Sequence, residues 1–151
     1  MESALGIASH FIEKSFQEDI RLTNMQLQKM VYIANGFYLA LKEKPLVNEN
    51  VEAWSYGPVI RPLYDSLRVF GSGRITNNLL SLYSSPVNLS DSDIKAVLEF
   101  TWKACKDKDG IQLSNWSHKE DSPWTKAVQE QKPIIPNEYM IDYFKKFLKK
   151  K

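Results

Sequence analysis

A chain of 151 residues that is 43% hydrophobic and 25% charged has the composition of an ordinary globular domain, long enough for one good core and too short for two full-sized domains. Its 12% aromatic content is too much apolar area to leave in water, which excludes disorder as the main state, and its single cysteine, Cys105, excludes an internal disulfide framework. The net charge is +2, yet without residues 141–151 the chain carries 15 basic and 17 acidic residues, so its body is not a basic nucleic-acid platform.

Leu5, Ala8, Ile12 and Phe16, with Phe11 beside them, recur at helical spacing and predict a first helix from about Ser3 to Glu18. Thr23 and Gln26 have capping-box spacing: the hydroxyl can accept a backbone N–H while the amide reaches back. A second helix is therefore expected from Thr23, with Leu27, Met30, Val31, Ala34, Tyr38 and Leu41 as its apolar face. Pro45 disfavours helix at Lys44 and ends it near Glu43. This helix is expected to be the central element. Residues 45–57 mix Val47, Val51, Ala53, Trp54 and Tyr56 with Asn48 and Asn50, and leave room for a short extended piece or a hairpin.

Pro58 is expected in the first turn of a third helix, where its missing N–H costs little, followed by a stripe of Val59, Leu63, Leu67 and Phe70 and a stop at Gly71. Residues 71–89 form the least regular stretch, with Leu79, Leu80, Leu82 and Tyr83 expected to pin it to the core. Ser90 is expected to cap a fourth helix, with Asp91 and Asp93 at the positive end of its dipole and Ile94, Val97, Leu98, Thr101 and Cys105 on its inner face. Gly110 closes the next turn. Leu113 to His118 and Ser122 to Glu130 read as two short helices, the second capped by Ser122 with Pro123 at its first position. A last helix starts near Pro136 and turns Met140, Tyr143, Phe144, Phe147 and Leu148 inward. The expectation is a mainly α, compact single-domain bundle of about six or seven helices over residues 1–151, with at most a small β element.

A search for catalytic chemistry finds little. Gly71-Ser72-Gly73 lacks the Lys-Ser/Thr continuation and preceding strand of a phosphate loop, and no HExxH run occurs. Asp91 and Asp93 cap a helix more simply than they pair as an acid and base. Cys105 with His118 as base is the minimum pair for thiol chemistry, but Cys105 falls on a predicted buried face, where thiols are inert packing. No catalytic, metal or cofactor site is expected. The N-terminus lacks the basic and apolar regions of a signal peptide, and no stretch approaches the ~18 apolar residues that span a membrane, so a cytoplasmic location and a reduced Cys105 are expected. Lys145, Lys146, Lys149, Lys150 and Lys151 read first as a solvated helix end and second as an anion-binding or partner-steering tail.

Two segments concentrate unusual residues: Ala53-Trp54-Ser55-Tyr56-Gly57-Pro58-Val59, and Leu113 to His118 followed by Asp121-Ser122-Pro123-Trp124. Aromatics of this kind fill gaps between non-parallel helices and satisfy backbone groups with their polar tips. They also dominate binding hot spots. With Leu27-Gln28-Lys29-Met30-Val31-Tyr32-Ile33-Ala34, these runs resemble three motifs of the Panacea domain family, also called SocA-like or GepA-like phage-associated proteins: an LQK…Y-aliphatic-A helix, AW-x-x-GPV, and L-S/T…H…PW. Ile135 and Tyr143-Phe144 fit its closing helix, so the resemblance covers about residues 5–148. Met30 and Val31 stand where leucines are common in the family.

The resemblance implies a non-enzymatic antitoxin. Such proteins are encoded beside small, diverse toxic proteins, neutralise their cognate toxin by binding it, and in some cases hand it to a AAA+ protease. On that reading Lys29, Trp54, Arg61, His118 and Trp124 are expected to gather on one side of the bundle as a partner-binding surface, with Lys29 pointing off the apolar stripe of its helix. Leu27, Tyr32, Tyr56, Gly57 and Pro58 are expected to serve structure, with Gly57 allowing close backbone approach or positive φ. Arg61, a cation at the positive end of a helix, needs some other interaction to hold it. The alternatives are a small hydrolase or transferase using His118 with Cys105 or a carboxylate, and a nucleic-acid-binding regulator using the Lys-rich C-terminus.

Overall fold

The computed structural model describes residues 1–148; Lys149, Lys150 and Lys151 of the terminal cluster lie outside the described residues. Seven α-helices and one two-stranded ribbon are present among them, as the hydrophobic periodicity predicts. Helix α1 (Ala4–Gln17) starts at Ser3, whose hydroxyl accepts from Gly6 N at 3.0 Å. Helix α2 (Asn24–Lys42) starts at the expected capping box: Thr23 Oγ1 accepts from Gln26 N at 3.2 Å, and Gln26 Oε1 from Thr23 N at 2.8 Å. It stops at Glu43, which turns left-handed at φ 56°.

Every residue of α2 from Leu27 to Ala40 is buried, which makes it the axis of the bundle. Three of those residues are polar, Gln28, Lys29 and Asn35, and each takes up a backbone group of a connection that wraps the helix. Asn35 Oδ1 accepts from Leu46 N at 2.9 Å, which anchors the chain just after the helix has ended. Helix α7 (Asn137–Leu148) crosses α2 at Gly36, where a Cβ would fall 2.3 Å from the Phe144 ring; the two helices approach this closely because position 36 has no side chain.

Strands β1 (Glu52–Trp54) and β2 (Gly57–Val59) pair antiparallel, with Trp54 opposite Gly57 and Ser55-Tyr56 at the tip. Pro58 therefore lies in a strand and not in the first turn of the third helix. Gly57 at φ +121° cannot join a helix, and in a two-stranded ribbon the missing N–H of Pro58 leaves no ladder bond unmade. Helix α3 (Arg61–Leu67) begins three residues later with Pro62 at its N-terminus, and a 3-10 turn at Arg68–Phe70 leads to Gly71. Val59 is buried in the strand, so the helical stripe reduces to Leu63 and Leu67.

In the irregular stretch a 3-10 turn spans Leu79–Leu82; Leu80 is buried and Leu79 packs against the core as expected, but Leu82 and Tyr83 are exposed, on the outer side of the turn. Helix α4 (Ser92–Cys105) is capped by Asp91 rather than Ser90: the Asp91 carboxylate accepts from Asp93 N and Ile94 N at 2.9 and 3.2 Å. Gly110 opens helix α5 (Gly110–Ser117) instead of closing a turn, because Asp109 and Gln112 form a second capping box. Helix α6 (Pro123–Gln129) is capped by Ser122 as expected. The connection from α6 to α7 ties back to the ribbon through Ala53 N to Pro133 O and Ile135 N to Val51 O, at 2.9 and 2.8 Å.

Candidate functional site

The tip of the ribbon is the meeting point of all three sequence motifs. Around it, three backbone carbonyl oxygens of the ribbon accept from side chains of three different helices. Trp124 Nε1 of α6 donates to Trp54 O at 2.6 Å. Ser114 Oγ of α5 donates to Tyr56 O at 2.7 Å. Lys29 Nζ of α2 donates to Pro58 O at 3.2 Å. His118, at the end of α5, places Nε2 3.4 Å from Ser55 O while Nδ1 lies 2.5 Å from Ser114 O. A carbonyl can only accept, so the Nδ1 contact puts a proton on Nδ1. One residue further on, the N–H of Ile60 donates to Gln28 Oε1 at 2.9 Å.

Lys29 is fully buried, so the expectation of an outward-pointing partner contact is corrected. It does leave the Leu27–Met30 stripe, but it points under the ribbon. Its ammonium lies 5.4 Å from the centre of the Tyr56 ring, and its Cε would sit 2.9 Å from a Cβ at Gly57. Burial pulls the amine down to about 8. Gly57 thus has two reasons to be glycine, a positive φ and the closeness of Lys29 and Ser117 beneath it.

The outer side of the ribbon carries the other candidates. Arg61 is exposed and makes a forked contact with Glu52, Nη2 to Oε1 at 3.1 Å and Nε to Oε2 at 3.3 Å. The same Glu52 accepts from Trp54 Nε1 at 3.0 Å, and the Arg61 guanidinium stacks over the Trp54 ring at 4.9 Å. Glu52 is the interaction that holds a cation at this helix start. Burial alone would raise its carboxyl, but the bonds from Trp54 and Arg61 outweigh that and hold it below the usual carboxylate range. Trp54 meets Tyr56 and Tyr64 edge-on at 5.8 and 5.0 Å, and the His118 and Trp124 rings lie 3.9 Å apart. Trp54, His118 and Trp124 are half-buried. A cleft of about 580 Å³ opens beside this corner, lined by Asn24, Gln28, Tyr56, Tyr64, Arg68 and Ile111 among others.

Lys29, Trp54, Arg61, His118 and Trp124 are therefore brought to one corner, with Lys29 inside and the rest around its rim. Leu27 and Tyr32 are wholly buried in α2. Gln28, Glu52 and Ser114 complete the arrangement, and sequence reasoning assigned none of them a role. Gln28 and Ser114 stand inside the quoted motifs. Glu52 has no local signal, because its role depends on a helix that begins nine residues later.

Cys105 is buried in α4, and burial pushes its thiol up to about 11, away from the thiolate that nucleophilic chemistry requires. The ring nitrogens of His118 face Ser114 O and Ser55 O instead. Of the terminal lysines among the described residues, Lys145 pairs with Glu43 and Lys146 with Asp121. No group of three or more metal-ligating side chains occurs among the described residues, and no described helix is long and apolar enough to cross a membrane.

Comparison with known proteins finds the same pattern. Residues 27–125 match the family described as Antitoxin SocA-like, Panacea domain. The protein Antitoxin SocA of Caulobacter vibrioides is 32% identical over 129 residues, which cover 80% of this chain and 68% of that protein. No solved structure matches the chain.

Proposed function

Because the chain belongs to the Antitoxin SocA-like, Panacea domain family, we propose that it is a cytoplasmic antitoxin that neutralises a cognate protein toxin by binding it directly, without catalysis, at the ribbon corner. The observation that carries this reading is the set of side-chain bonds that pins the turn from beneath while leaving an Arg–Trp–Tyr surface on its outer side. Trp, Tyr and Arg are the residues from which binding hot spots are built. A turn already held in place loses little conformational freedom on binding, which favours affinity. Trp54, Arg61, His118 and Trp124 form the docking rim, and the neighbouring cleft offers room for a side chain of the partner. Delivery of the bound toxin to a AAA+ protease is a separate, later step in this reading.

The test uses the product of the adjacent gene as the candidate toxin. Ser55 is an exposed residue at the ribbon tip and Arg61 is exposed beside it. Ser55→Arg and Arg61→Glu should each reduce co-purification of the toxin at least tenfold and abolish growth rescue, with unchanged melting temperature. Full rescue by both folded variants would remove the ribbon corner as the toxin site. Rescue by the wild type in a strain lacking the protease would separate neutralisation by binding from neutralisation by degradation.

A further inference from the structure

Lys29 is the only lysine among the described residues that is fully buried. Charged side chains are almost never enclosed to this extent without an opposite charge. Lys29 has none: its ammonium donates to Pro58 O at 3.2 Å, and no acidic group of the described residues acts on it. The groups that face the ammonium are the Tyr56 ring, 5.4 Å away, and Ser117 of α5, which stands with it beneath Gly57. Burial pushes the Tyr56 hydroxyl up to about 12, so it carries no charge at neutral pH. His118, next to Ser117, is an imidazole and cannot supply a negative charge. Glu52, on the outer side of the ribbon, is engaged by Arg61 and Trp54.

The cleft of about 580 Å³ beside the ribbon adjoins this amine, since Gln28, which precedes Lys29 in α2, and Tyr56 both line it. Two buried amides, Gln28 and Asn24, lie at its floor. Gln28 Nε2 donates to Asn24 Oδ1 at 2.9 Å, and Asn24 Nδ2 donates to Tyr64 O at 3.3 Å. An amide nitrogen carries two hydrogens, so each of the two has one without an acceptor among the described residues. A buried donor left unused costs free energy, which an acceptor placed in the cleft recovers. The two charged residues of the lining are matched: Arg68 lies 4.0 Å from Asp65, and the Asp109 carboxylate accepts from Gln112 N at 2.8 Å as the cap of α5. Of these groups Lys29 alone is left without a counter-charge.

We propose that this cleft receives an aspartate or glutamate side chain of the bound toxin, whose carboxylate accepts from the spare amide hydrogens of Gln28 and Asn24 and supplies the negative charge that Lys29 lacks. It rests on the ribbon corner being the toxin site, and adds the chemistry that the partner presents there. The amide hydrogens suit any acceptor, a backbone carbonyl included. The ammonium selects a carboxylate, because a charge in a low-dielectric interior acts across several ångströms and favours its opposite over a neutral group. A partner without the acid leaves the amine uncompensated on docking, so the same arrangement discriminates against wrong partners.

The test is the pH dependence of affinity for the product of the adjacent gene, measured by titration calorimetry between pH 7 and pH 9.5. Burial holds the free amine at about 8. A docked carboxylate favours the protonated amine, so above pH 8 binding must take up a proton, and wild-type affinity should fall about tenfold or more across that range. Lys29→Met should bind about tenfold more weakly at pH 7 and change by less than about threefold to pH 9.5. Exchanging the toxin's aspartates and glutamates one at a time for asparagine or glutamine should find one whose loss is not additive with that of Lys29→Met, a coupling that a merely structural lysine does not show. If Ser55→Arg and Arg61→Glu leave binding intact, or the gene product does not bind at all, the reading of the corner fails and this inference with it. If those variants abolish binding while wild type and Lys29→Met share one pH profile, or no toxin carboxylate couples to Lys29, the corner stands and the inference is overturned. Millimolar phosphate that raises the melting temperature of the wild type but not of Lys29→Met, without the pH difference in toxin binding, assigns the cleft to a free anion and overturns it as well.

Discussion

Replacing Lys29 by methionine tests whether its amine is as far inside as the structure places it. Methionine keeps the unbranched stem and removes the charge. The ammonium has no exposed surface, its one hydrogen-bond acceptor is Pro58 O, and burial holds it at about 8 against an ordinary 10.5. That difference corresponds to about 3 kcal/mol against the charged form in the folded state. The sign follows from proton counting. Below pH 8 both folded and unfolded chains carry the proton, and the wild type bears the whole penalty. Between pH 8 and 10.5 the unfolded chain binds more protons, so stability rises with pH across that window. The variant lacks the group and hence this rise. Measured by urea unfolding, the wild type should gain about 2 kcal/mol on Lys29→Met between pH 7 and pH 9.5, or about 4–8 °C in melting temperature for a chain of this size. Every other titrating group is common to both proteins and cancels. A difference that stays constant to within about 0.5 kcal/mol over that range would show that the amine keeps its ordinary proton affinity and is not desolvated under the ribbon.

Other positions give equally definite outcomes. Gly57→Val combines a φ of +121° with a Cβ 2.9 Å from Lys29 Cε, and should lose about 2–5 kcal/mol in denaturant titration; wild-type stability with lost toxin binding would reverse the structural assignment. Gly36→Ala should lower stability by about 1–3 kcal/mol, because a methyl would lie 2.3 Å from the Phe144 ring and α7 must move; an unchanged melting curve would place α7 elsewhere. Met30→Asp puts an unpaired carboxylate in the core at a cost of several kcal/mol, on the order of the whole stability of a small domain, and should abolish the folded circular dichroism spectrum. Tyr32→Phe removes a buried hydroxyl that has no partner among the described residues, and should be neutral or stabilising by about 1 kcal/mol; a loss above that would reveal a bond to the hydroxyl.

The helices were legible because their signals are local. Caps at Thr23 and Ser122 and the 3.6-residue recurrence of apolar side chains act within a few residues, and the structure places them as the sequence predicts. The start of the third helix was not legible. A proline followed by Val59, Leu63 and Leu67 has helical spacing, but Gln28 and Lys29 capture Ile60 N and Pro58 O across some thirty residues and hold that stretch extended. Lys29 misled for the same reason. Off the apolar stripe, a lysine is ordinarily solvated, yet α2 is enclosed on all sides and its polar residues are turned to backbone groups of other segments. The convergence of the motifs was readable as an expectation, while the bond each motif residue makes depends on carbonyls of a turn that no local pattern defines.

This division of labour bears on what the motifs specify. Lys29, Ser114 and Trp124 each donate a hydrogen bond to the ribbon, to Pro58, Tyr56 and Trp54 respectively, and His118 lies against Ser55. Gly57 makes room for the first of them. What faces outward is different: Ser55 at the tip, Arg61 on its Glu52 fork, and the edges of Tyr56 and Tyr64. The signature residues therefore fix a platform, and a change in any of them acts on the position of the turn before it acts on a partner. The residues around the platform are not constrained by those bonds, since Ser55 contributes its carbonyl and Arg61 its surface ion pair. Exposed ion pairs contribute at most about 1 kcal/mol to folding, so position 61 can change with little effect on the fold. On the proposed docking reading, exchanges at positions 55 and 61 should alter partner binding while the turn beneath them stays where Lys29, Ser114 and Trp124 hold it.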